Sequence, residues 1–288
     1  MRTVLFGLAL TSLALALAAT ATGSTSTSAA IPGCAKSSLD LLKAGTLTIG
    51  TDNPAYPPWW GGAEKKPWKV SNPYSGQGYE SAVAYAVAKQ LGFAKGQVTW
   101  TAVPFLSSFR PGKKPFDFYM AQVSYDPARA KNVDFSNSYY FVNQAVVANA
   151  GTSIADVRTI AGLRPYKLGA QLGTTSYQYI VKYIRPDEKP AVYDNNNDAI
   201  SALNSKQIDG IVVDLPTAFY VVAAQLDDGV IVGKLPTRGA REHFGMVFGK
   251  GNPLKKCVNR ALNRLWANGT IKQLQQKYLA KAGAPDLR

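Results

Sequence analysis

Arg129 is the residue whose neighbours best equip it for chemistry. It ends the stretch SYDPAR, residues 124–129, between an apolar run and the aromatic pair Tyr139 and Tyr140. Asp126 suits a helix cap and Pro127 a first turn, so Arg129 would project beside backbone N–H groups that have no partner inside the helix. A guanidinium matches the two oxygens of a carboxylate, and a helix terminus adds donors and a positive dipole end. The plain alternative is a surface arginine in an ordinary first turn.

Three other segments favour the carboxylate site. They are GTDNPAYPPWW, residues 50–60, QLGTTS, residues 171–176, and IDGIVVDLPTAFY, residues 208–220. Each follows a short apolar run, where an α/β sheet delivers loops to a crevice. Arg129 for a carboxylate, Thr174 and Thr175 as hydroxyl donors, Asp214 for an ammonium and Tyr56 for a side chain together describe the groups of an amino acid. On these motifs the sequence resembles the extracellular solute-binding proteins that deliver polar amino acids to ABC transporters, over roughly residues 40–280.

The resemblance implies roles residue by residue. Arg129 corresponds to the clamp on the ligand's α-carboxylate, with Ser124 as a supporting hydroxyl. Asp126 replaces the family's usual Thr and reads as a cap. Gly173, Thr174 and Thr175 resemble the Gly-Thr-Thr turn that meets the same carboxylate from the other lobe, although a helix-capping motif alone would look identical. Asp214 is expected to take the ammonium with one oxygen while the other caps a helix. Asp52 is a second acid for a cationic group or for holding its loop. Tyr56 and Phe105 match the pair that sandwiches the ligand side chain, with the loop of Tyr56 one residue longer than usual. Gln122 stands where relatives carry small residues, to bond a polar side chain or to narrow the pocket. Trp59 and Trp60 are divided between sealing the pocket and packing the core.

The elements that must position these residues alternate as strands and helices. Strands are expected at 46–51, 98–103, 116–123 and 140–149, with a helix at 79–91 whose Val83, Val87 and Leu91 share one face before Gly92. After residue 150 the alternation restarts, with helices at 154–163, 176–184, 197–206 and 216–225 and strands at 167–171, 191–193 and 208–213. A strand at 242–250 and helices at 253–268 and 270–279 close the chain. Such alternation gives mostly parallel sheets flanked by helices. The resemblance supplies the two-lobe, type II periplasmic-binding-protein-like fold with a two-strand hinge. It places the first lobe at 40–143 and 241–288, and the second, inserted, at 144–240. The backbone would cross near 142–147 and again near 237–243. The Gly- and Pro-rich loop 61–77 is open to three readings: a flap at the cleft edge, a partner surface or a plain excursion.

Residues 1–21 read as a secretory signal peptide, with a second small-residue cleavage position at 28–30 and a polar linker over 22–39. This places the protein outside the membrane, in the periplasm or on the outer face of the envelope. The rival is an uncleaved anchor. What remains suits two cores better than one. The 32 Lys and Arg against 18 Asp and Glu give a net charge of +14. They are scattered rather than clustered, which argues against a nucleic-acid partner. Export puts Cys34 and Cys257 in an oxidising compartment, where a disulfide would tie the two ends of the chain. Lipidation of Cys34 and two unrelated thiols are the other readings. His243 is the one histidine, so neither metal ligation nor a cofactor is expected, and the resemblance implies a monomeric binding protein rather than an enzyme, with an amino acid and a permease as partners. Two rivals stand: a dehydratase or lyase of the same fold acting on a small carboxylate through Asp52 or Asp214, and a ligand sensor for a membrane receptor.

Overall fold

The computed structural model describes residues 30–279 and 283–288. The expected signal peptide and residues 22–29 of the linker lie outside these residues. Two five-stranded sheets form two lobes. In the first lobe the spatial order is Val98–Ala102, Leu47–Thr51, Phe118–Tyr119, Val247–Gly249, Val133–Phe135. In the second it is Gly229–Lys234, Gln144–Asn149, Gly210–Asp214, Leu168–Gln171, Ala191–Tyr193. Each sheet has one strand opposed to its two neighbours, Val247–Gly249 in the first and Gln144–Asn149 in the second. These two are the strands by which the chain enters a lobe after crossing from the other.

Between the sheets, Tyr140–Phe141 pairs antiparallel with His243–Phe244. The run expected as one strand over 140–149 is therefore two. Residues 140–141 pair within the crossing, Val142 N–H donates to the Glu242 carbonyl, and Asn143 accepts from Leu215 N–H before the second sheet begins. Alternating apolar residues register burial on either side of such a switch but not the change of partner. The expected helix at 154–163 is likewise two single turns, Ser153–Asp156 and Ala161–Leu163.

Amphipathic spacing builds the first lobe. Leu47 and Ile49 point inward and are fully buried, as period-two strands require. Helix Tyr79–Gln90 buries Val83, Ala84 and Val87, and Gly92 follows its end at φ +83°. Helices Leu254–Ala267 and Thr270–Leu279 pack against it from the far end of the chain. The Cys34–Cys257 disulfide, with Cα atoms 5.6 Å apart, fixes the start of the lobe to the first of these helices. The second lobe carries an apolar cluster on each face of its sheet, one around Val146, Leu168 and Val212, the other around Val147, Leu203 and Ile211.

Loop 61–77 folds onto its own lobe. Trp68 is buried, Ala55 N–H donates to the Lys69 carbonyl, and Asn53 exchanges hydrogen bonds with Pro67 and Lys69. It thus braces the segment that carries Asp52 and Tyr56.

Candidate functional site

The C-terminal ends of Leu47–Thr51, Leu168–Gln171 and Gly210–Asp214 deliver their loops to one cleft between the lobes, of about 570 Å³. Asp52, Tyr56, Phe105, Gln122, Ser124, Arg129, Thr174, Thr175 and Asp214 all line it. Residues up to 162 positions apart in sequence, from Asp52 to Ser124 and on to Asp214, are thereby brought into one space.

Arg129 is buried at the seam between the lobes. One terminal nitrogen donates to the Ser124 carbonyl at 2.7 Å and the other to the Gly173 carbonyl of the second lobe at 2.6 Å. Its planar group lies over Phe109, 4.5 Å from the ring centre, and 5.6 Å from that of Phe105. Such stacking holds a guanidinium flat while other N–H groups remain for a ligand. The expected helix after Asp126 is a single turn, Arg129–Lys131. Its N-cap is Ala128, without a side-chain cap; Asp126 Oδ1 instead closes the turn just before it, accepting from Ala128 N–H at 2.8 Å and Arg129 N–H at 3.2 Å. Burial pulls the Arg129 pKa down, opposed by the charges of Asp126, Glu242 and Asp214.

The hydroxyls divide. Thr174 caps helix Thr175–Tyr179: it accepts from Tyr177 N–H at 3.2 Å and donates to the Gln171 carbonyl at 2.7 Å. Its hydroxyl hydrogen is taken, contrary to its expected role as a donor into the cleft. Ser124 and Thr175 lie 3.4 Å apart across the seam and both donate to Glu242 Oε1, at 2.5 and 2.6 Å.

Asp214 ends its strand and opens helix Leu215–Ala224, but its side chain makes no cap hydrogen bond. The capping half of the expectation is corrected: Asp214 Oδ1 accepts from Gln144 Nε2 at 2.7 Å, and Pro216 in the first turn leaves one fewer N–H to satisfy. Burial, then the neighbouring Glu242 charge, raises the Asp214 pKa well above the carboxylate range. Asp52 is also raised by burial, and moderated by hydrogen bonds from the Asn53 and Phe105 backbones.

Gln122 adopts φ +51°. Its backbone N–H donates to Glu80 Oε1 at 2.7 Å and its amide to Glu80 Oε2. Tyr139 donates its hydroxyl to the same carboxylate. The side-chain amide of Gln122 is therefore anchored to its own lobe. Two further contacts close the seam: Asn197 donates to the Tyr56 hydroxyl, and Trp59 Nε1 donates to Thr217 Oγ1 at 2.9 Å. Trp59 is otherwise packed among Tyr79, Tyr140 and Phe244, while Trp60 lines the cleft and meets Trp100 edge-on.

Sequence reasoning missed Phe109, Glu80, Gln144 and Glu242. Phe109 lies four residues past Phe105, a helical spacing that could have raised it. The other three had no local signal, because their partners are remote in sequence.

Two α/β lobes that close over a shared cleft lined with polar groups define a two-lobe binding protein. The chain belongs to the bacterial extracellular solute-binding proteins, family 3, whose family model matches residues 47–281. It is 26% identical to ABC transporter arginine-binding protein 1 of Escherichia coli K12, over 70% of this chain and 81% of that one. It is 26% identical to the ABC transporter glutamine-binding protein GlnH of Bacillus subtilis 168, over 73% and 76%. Among solved structures, an ancestral arginine-binding protein bound to glutamine superposes with a TM-score of 0.67 at 27% identity, covering 83% of this chain and all of that one. The ancestral amino-acid-binding protein AncCDT-1, a precursor of cyclohexadienyl dehydratase, reaches 0.66 at 28% identity over 82% of this chain and 96% of that one.

Proposed function

We propose that this protein is exported, captures a polar amino acid between its lobes as a monomer and delivers it to an ABC transporter permease. The observation that carries the reading is Arg129. Its guanidinium is stacked on Phe109 and bonded to a carbonyl of each lobe, so it stands where a carboxylate entering the cleft would meet it as the lobes close. Asp214, in the same cleft, offers carboxyl oxygens to an ammonium, whose positive charge would draw its raised pKa back down. Tyr56, Trp60 and Phe105 offer ring faces, and Asp52 lies beside them. That end of the cleft suits a side chain rich in N–H donors, such as an amide or guanidinium. Proteins named for arginine and for glutamine among the relatives support the same class.

A thermal-shift panel of amino acids alongside prephenate-like acids, followed by product analysis of each incubation, tests the reading. Stabilisation by a polar amino acid without turnover is the expected result. Conversion of a cyclohexadienyl acid would overturn it in favour of a dehydratase, a reading that AncCDT-1's descent keeps in view.

A further inference from the structure

Glu242 lies on the return crossing, outside the nine residues that the sequence assigned to the cleft. Its Oε1 accepts from Ser124 of the first lobe and from Thr175 of the second, and Gln144 Nε2 stands 3.2 Å from each of its oxygens. Its charge acts on both Arg129 and Asp214. A hydroxyl has one hydrogen. With that hydrogen drawn to Glu242, Ser124 and Thr175 have only lone pairs left for anything else in the cleft. Lone pairs receive N–H groups and repel a carboxylate.

We propose that Glu242 is a specificity-determining residue: it clasps the lobes through the Ser124 and Thr175 hydroxyls, and a ligand's carboxylate must displace it to gain those hydroxyls as donors. The second half rests on the amino-acid reading above; the clasp does not. Glu242 thereby lessens the advantage of a carboxylate-bearing ligand over an amine of the same shape, and it favours contact between the lobes before anything binds.

The test uses spin labels on Lys89→Cys in the first lobe and Ser201→Cys in the second, both exposed positions, with the native cysteines held in their disulfide. Without added ligand, the distance distribution is expected to shift to longer separations in Glu242→Ala, and by less in Glu242→Gln, whose amide oxygen still accepts. An unchanged distribution in Glu242→Ala overturns the proposal whatever the binding data show. Calorimetric titration with arginine and with agmatine, the same molecule without its carboxyl, tests the displacement. The ratio of the agmatine Kd to the arginine Kd is expected to be at least tenfold larger in Glu242→Ala than in the parent, and equal ratios overturn it. If the parent binds no amino acid at all, the proposed function falls, while the label distances still decide the clasp.

Discussion

Glu80 and Glu242 are each ringed by hydrogen-bond donors, but the donors belong to different bodies. Glu80 is fully buried inside the first lobe and accepts from Gln122 and Tyr139, which sit in the same lobe. Glu242 accepts from Ser124 on one lobe and from Thr175 and Gln144 on the other. When partners move together, a hydrogen bond adds to the stability of that body. When they move apart on opening, it weights one arrangement of the lobes over another. The same side-chain chemistry therefore acts on folding in one place and on closure in the other.

The disulfide offers the largest contrast. It lies within the first lobe and closes a loop with a sequence separation of 223, which in chain-entropy terms contributes about 5 kcal/mol. Denaturant unfolding of a Cys34→Ser and Cys257→Ser double variant should show a large loss of stability, and amino-acid affinity in the refolded protein should be unchanged. A loss of affinity without a loss of stability would break the division between the two regions.

Arg129 belongs with the seam. Arg129→Ala removes hydrogen bonds to a charged group, each worth about 1.5 to 3 kcal/mol, so calorimetry should record at least a hundredfold weaker binding, about 3 kcal/mol. Arg129→Lys should recover little of this, because an ammonium offers no planar fork. Glu80→Ala leaves the Tyr139 hydroxyl and the Gln122 N–H buried without an acceptor, at about 2 to 3 kcal/mol of stability. Scanning calorimetry should find its Tm clearly below that of Glu242→Ala, and spin-label distances should rank the two in the opposite order.

The smallest effect is one of pH. Burial pushes the Glu80 carboxyl from 4.5 up to about 7, against the pull of Tyr139 and Gln122 toward the charged form. The folded protein thus keeps this proton to a higher pH than the unfolded chain does. The stability it contributes is fully present below about 4.5 and is lost as pH rises through about 7. Glu80→Gln should flatten the decline of Tm across that window. Burial also raises Asp52 and Asp214 in the cleft and Asp117 outside it, so a slope that survives in Glu80→Gln is shared among these three.

The amino-acid sequence by itself determined the alternation of strands and helices and the loop motifs, such as SYDPAR and GTTS, that reach the cleft; these are written in local periodicity and spacing, which need no knowledge of distant partners. The two-lobe arrangement with its inserted lobe, and the expected roles of the cleft residues, were what the family resemblance implied. The roles within the cleft needed the tertiary structure. Thr174 was readable as a cap or a donor, and only the positions of Gln171 and Tyr177 show that its hydroxyl is occupied. Gln122 turned out to be anchored to Glu80, 42 positions away. The seam pairs Glu242 with Thr175 across 67 positions. A hydrogen bond is a short-range, directional contact, so which of two possible partners a side chain takes is settled only when the lobes are folded and brought together.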